Sequence, residues 1–219
     1  KIKGAIPKSF IPNYGEFYEA RWFASGKDIK VDSIKIKGEE IPFGTKLLFA
    51  DKNSSAVISA EICEDLWVGE KPSTEACLNG ANIICNLSAS DENVSKRIYR
   101  KKLVEMQSST LYCSYLYCSS STDESSQDLV FSGHNIIADN GAILNECIYP
   151  QSPYSISSVL DIDKSNYNRI HQSTFENRMD GYLSIPVNLK SIFNGKDSFE
   201  KTAQLLKEQH YSIPRFPFV

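Results

Sequence analysis

The chain has 219 residues, 41% hydrophobic and 23% charged, which suits one large globular domain and excludes a disordered or fibrous chain. Its 24 Lys and Arg against 27 Asp and Glu leave a formal charge of -3 with no basic block, which argues against a nucleic-acid partner. Apolar runs such as ANIICNL are far too short to span a bilayer, so a soluble, cytoplasmic protein without a membrane role is expected.

In chain order, KIKGAIP alternates as a short strand, and NYGEFYEARWFASG has a polar-to-helical pattern closed by Gly26. The stretch Lys27 to Gly38 predicts a surface hairpin leading into IPFGTKLLFA. SAVISAEIC is a buried strand, PSTEACLNGA a short helix capped by Ser73 or Thr74 and closed near Gly80, and NIICNLSAS a second buried strand. That order is a βαβ-type unit and points to α/β layering.

From Asn93 to about Thr110, the spacing of Val94, Ile98, Leu103 and Met106 predicts an amphipathic helix with those residues as its apolar stripe. LYCSYLYCS follows as a strand, and Asn140-Gly141 between apolar runs marks a hairpin. YSISSVLDI is a further expected strand and KSNYNRIHQ a helix. The proline-rich tail SIPRFPFV reads as the start of a linker, which places a domain over residues 1–212 and a linker over 213–219.

Six cysteines (Cys63, Cys77, Cys85, Cys113, Cys118 and Cys147) lie mostly in apolar segments without CxxC spacing, and the three histidines are scattered. Reduced thiols and no metal site are expected. Cys63 is the informative one, because it ends a predicted buried strand of an α/β sheet, where active sites of such folds collect. Yet its neighbours are Glu61, Glu64 and Asp65. A carboxylate about 6 Å away costs a thiolate roughly 2–3 kcal/mol at an effective dielectric near 20, and a lysine at about 4 Å returns roughly 4 kcal/mol. Either Cys63 is inert packing, or a distant cation overrules its neighbours. Lys8, between Pro7 and the turn SFIPNY at the end of a short apolar run, is the candidate cation.

The segments GAIPKSFIPNYGEFYEARWF, EICEDLW, NLSAS and DLVFSGHNIIADNGAIL, in this order over Lys3 to about Glu146, resemble the amidase domain of the glutamine-dependent NAD synthetases, a branch of the nitrilase superfamily. The resemblance implies an α/β fold, the four-layer α-β-β-α sandwich, here incomplete at its N-terminal side. It implies that Cys63 attacks the side-chain amide of L-glutamine and forms a thioester, that Lys8 stabilises the tetrahedral intermediate, and that Glu16 orients the site. Tyr14, Ser90, Lys96 and the backbone N–H of Glu64 match substrate-binding positions. Lys96 stands where relatives carry arginine or lysine for the α-carboxylate, which it would hold as a point charge.

The family's general-base glutamate lies ahead of the lysine motif. The chain opens at Lys1 without a methionine, as expected of a piece of a longer protein. No SGGxxS signature occurs, so a synthetase domain with ATP and Mg would lie elsewhere, as the partner of a domain that itself needs no cofactor. A homo-oligomer is expected of the intact protein, and exposed sheet edges and poor solubility of this piece alone. The loop SSTDESSQDLVF, over 119–128 and beyond, departs from the GESTTDLVF-like form of the family. A stand-alone amidase on another small amide and a catalytically silent remnant are the alternatives.

Overall fold

The computed structural model describes residues 1–150, 154–189 and 204. A small antiparallel hairpin, β1 (Ser33–Ile36) and β2 (Glu39–Pro42), comes first. Its turn is Lys37-Gly38, both with positive φ, at 51° and 80°. The main sheet contains β3 (Leu47–Asp51), β4 (Val57–Ile62), β5 (Ile83–Ser88), β6 (Ser114–Ser119), β7 (Asn135–Asp139), β8 (Ala142–Cys147) and β9 (Leu183–Val187). Their order across it is β8-β7-β6-β5-β4-β3-β9. The central trio β4, β5 and β6 is parallel, and the helices α1 (Pro72–Leu78) and α2 (Lys96–Thr110) make its crossovers. β7 and β8 add antiparallel strands on one side, while β3 pairs antiparallel with β4 and parallel with β9 on the other.

Period-2 geometry divides the sheet into two faces. Ile84, Tyr115, Tyr117, Ile136 and Ala138 point to the helix side, where they pack with Ala76 and Cys77 of α1 and Val104 of α2. Ile58, Ala60, Ile62, Cys85, Leu87 and Leu116 alternate with them onto the other face and stay half-buried or exposed. The described residues thus supply a β layer and its helix layer, two of the four expected layers, with an apolar second face suited to another sheet.

Several local expectations are corrected. KIKGAIP forms only a single bridge, Ala5 to Phe43, because Pro7 has no N–H to continue a ladder. The segment after it yields just a 3-10 turn at Glu19–Arg21, since Gly15 adopts φ 56° and Tyr14, Tyr18, Trp22 and Phe23 have no face to bury against. Neither Ser73 nor Thr74 caps α1. Lys71 holds the N-cap position before Pro72, while Ser73 sits inside the core with its amide on Glu61.

α2 begins at Lys96 and buries Arg100, Val104, Gln107 and Ser108. Val94, Ile98 and Met106 of the expected stripe are exposed instead. Its inward polar side chains each make hydrogen bonds, Arg100 Nε alone among that residue's side-chain nitrogens lacking a partner, which allows their burial; Gln107, for instance, donates to Ser73 and Thr74. YSISSVLDI forms no strand over its described residues, 154–161, and Asp161 instead caps α3 (Ile162–His171). The linker and the 212/213 boundary fall outside the described residues. No helix among the described residues is long and apolar enough to cross a membrane.

Asn140 (φ 47°) and Gly141 (φ 88°) make the β7–β8 turn, and a Cβ on Gly141 would lie 2.8 Å from Ser109 Cβ. Gly141→Ala is expected to destabilise the chain by about 2 kcal/mol through the left-handed backbone and this clash, read as a lower urea midpoint with an unchanged m-value.

Candidate active site

β4 ends at Ile62, and Cys63 opens a 3-10 turn, Cys63–Leu66, with φ 49°. A non-glycine residue in the left-handed region is strained, and here the bend turns the thiol out of the sheet into a cavity of about 710 Å³. Lys8, Glu19, Leu87, Ser88, Ala89 and Cys118 also line that cavity. Lys8 Nζ donates to Glu19 Oε2 at 2.5 Å.

Burial pushes the Cys63 thiol up. Three groups oppose that: the Ala89 backbone amide, the Lys8 charge, and the Ser88 hydroxyl. The nearby carboxylate that acts against ionisation is Glu19, not one of the sequence neighbours.

Those neighbours are engaged elsewhere. Glu61 points to the helix side, where it accepts from the Tyr115 hydroxyl and from the Ser73 amide at 2.8 Å, and burial pushes it up. Asp65 accepts from the Ile62 amide at 2.9 Å and the Phe10 amide at 2.8 Å, with the Ser9 amide at 3.4 Å. It therefore ties the Lys8 segment to the Cys63 turn. Glu64 accepts from the Tyr14 hydroxyl at 2.8 Å, and burial together with this bond pushes the phenol up.

Of the residues expected at the site, Lys8 and Cys63 share the cavity. Tyr14 and Glu64 are not among the residues that line it; the two are bonded to each other, and Glu64 follows Cys63 directly in the chain. The Glu64 N–H follows Cys63 at the start of the 3-10 turn, where amides lack intrahelical acceptors. Glu16 is exposed and does not line the cavity; Lys8 pairs with Glu19 instead. Lys96 pairs with Asp91, its ammonium 5.4 Å from the Trp67 ring and 5.8 Å from that of Phe17. Ser90 is buried behind the cavity and accepts from Arg100 at 3.2 Å.

Sequence reasoning missed Glu19, Ser88, Ala89 and Asp65. Glu19 carried a signal, since it lies three residues beyond Glu16 in the same acidic and aromatic stretch, but only the turn at Glu19–Arg21 decides between the two carboxylates. All six cysteines are free, and no cluster of three or more His, Cys, Asp or Glu among the described residues could hold a metal.

No protein-family model matches the chain. It is 33% identical over 220 residues to the glutamine-dependent NAD(+) synthetase of Mycobacterium tuberculosis, covering 100% of this chain and 32% of that protein. It is 30% identical over 152 residues to the human protein of the same name, covering 65% of this chain and 21% of the relative. Among solved structures, the glutamine-dependent NAD(+) synthetase of Cytophaga hutchinsonii superposes with TM-score 0.55 at 28% identity, covering 66% of this chain and 22% of that one. This chain spans about a third of the length of the mycobacterial relatives. The match over the whole of this chain and the α/β sheet that carries Cys63 agree: the chain belongs to the glutamine-dependent NAD synthetases.

Proposed function

We propose that this chain carries the nucleophile side of a glutaminase site, which hydrolyses the amide of L-glutamine and supplies ammonia to a synthetase domain that converts deamido-NAD to NAD with ATP and Mg. The observation that supports this reading is the convergence of Cys63, Lys8 and Glu19 on one cavity, with Ala89 in its wall. In the proposed reaction the Cys63 thiolate attacks the amide carbon. Negative charge develops on the former carbonyl oxygen, and the Lys8 ammonium and the Glu64 N–H stabilise it. Ammonia leaves, the glutamyl thioester remains on Cys63, and water then releases glutamate and restores the thiol.

The family's general-base glutamate, ahead of Lys1 in the relatives' order, would take the thiol proton and pass it to the leaving ammonia. Glu19 replaces Glu16 in the proposed catalytic set. Its contact with Lys8 holds the ammonium at the cavity while leaving it charged. Glutamine's charged head group would meet Tyr14, Glu64 and Lys96, with Ser90 supporting that wall from behind. Lys96 would then exchange part of its contact with Asp91 for the α-carboxylate.

Glutamate release by the intact protein is expected to vanish in Cys63→Ala; release that survives the change rules out the thioester route. Lys8→Met is expected to lower kcat by about 10²–10³-fold, the usual loss for one group that stabilises an oxyanion. Glu19→Gln should cost about tenfold or more in kcat with little change in KM, since it acts through Lys8 and not on glutamine. Burial holds the Cys63 thiol up while Lys8 draws it down, so iodoacetamide labelling of Cys63 should rise with pH, and Lys8→Met should move that rise to higher pH. Peptide mass spectrometry checks this, and Cys63 should label ahead of Cys85 and Cys113.

A further inference from the structure

Arg100, on the inward face of α2, is fully buried. One terminal nitrogen donates to Glu92 Oε2 at 2.9 Å and meets His134 Nδ1 at 3.0 Å. The other donates to Ser90 Oγ at 3.2 Å and to the Asp91 carbonyl at 3.0 Å. A guanidinium has only donors, so His134 Nδ1 is the acceptor and its ring proton sits on Nε2. That nitrogen donates to Glu146 Oε1 at 3.1 Å, and Glu146 also takes Lys101 at 2.5 Å. Ser132 donates to Glu92 Oε2 at 2.6 Å, so the acceptor on that side is fixed as well.

These contacts converge on one stretch of chain. Ser90, Asp91 and Glu92 all bond to Arg100, and Ala89, the residue just before them, lines the same cavity as Cys63, since the parallel β4–β5 register sets Ile62 beside Leu87 and so brings the two strand ends together.

We propose that Arg100 is a positioning residue for the nucleophile. It clamps the loop 89–92 from behind so that the Ala89 backbone stays beside Cys63 in the cavity wall, and His134 is the acceptor that keeps the guanidinium turned to that loop. Arg100 does not line the cavity and takes no part in the bond changes. The inference rests on Cys63 being the reactive thiol. It adds that the backbone next to the thiolate is held in place by a buried cation on another element. A lysine at 100 keeps the charge but loses the fork that reaches Glu92, His134, Ser90 and Asp91 together.

The test is the pH profile of Cys63 alkylation by iodoacetamide in the intact protein that carries this chain, followed by peptide mass spectrometry beside a thermal melt. Arg100→Lys is expected to move the profile to higher pH and slow labelling near pH 8 by about three- to tenfold, as weaker stabilisation of the thiolate requires. A purely structural role would lower the melting temperature and leave the profile of the folded protein in place, which overturns the proposal. If Arg100→Lys fails to fold, Ser90→Ala removes one of the contacts and should shift the profile in the same direction by a smaller step; an unshifted profile there is equally fatal. Wild-type Cys63 that labels no faster than Cys85 overturns the nucleophile reading and this inference with it. Preferential labelling of wild-type Cys63 with unshifted variants overturns this inference alone.

Discussion

The Asp65 carboxylate holds the site together. It accepts from Ile62, at the end of β4, and from Phe10, with Ser9 within reach, more than fifty residues earlier in the chain. Without it nothing in the local sequence would bring Lys8 to Cys63, because the segment around Lys8 joins the small hairpin through one bridge and belongs to no ladder. Burial pushes this carboxyl up, while the three amides and the Lys8 charge pull it back toward ionisation. A charge that looked hostile to the thiol is the anchor of the cation that favours the thiolate.

The same economy governs the other two acids beside Cys63. Glu61 faces the helix layer and joins β4 to α1 and β6 through Ser73 and Tyr115, while Glu64 accepts from Tyr14. Alternation along the strand separates Glu61 from Ile62, and the bend at residue 63 sends the sulfur away from both. Electrostatics around the thiol is thus set by four groups from three separate parts of the chain: Lys8, Glu19 and the pair Ser88-Ala89.

How much of this was legible in the sequence depends on the range of the physics. The buried strands β4 and β5 announced themselves through β-branched apolar runs, β6 through an aromatic and apolar one, and the β7–β8 turn through Asn140-Gly141, because these signals are local. α2 was legible as a helix but not in its orientation. Its inward face is chosen by partners for Arg100, Gln107 and Ser108, and no pattern of apolar spacing encodes those partners. The segment from Tyr14 to Phe23 has helical spacing but no surface to pack on, so propensity alone did not carry it. Lys8 and Cys63 were legible through motif resemblance, whereas the choice of Glu19 over Glu16, the Asp65 tie and the Ala89 amide are long-range outcomes of folding.

The backbone at Cys63 carries a last consequence. With φ at 49°, that position would suit glycine better than any residue with a Cβ. Holding a cysteine there leaves the fold about 1 kcal/mol or more short of the stability that the same backbone could reach. Selection for a sturdier domain alone would therefore erode the thiol. Cysteine and left-handed geometry can persist together only where the chemistry of the sulfur outweighs the comfort of the chain, so thermostability screens of this domain should draw toward loss of the very residue that defines it.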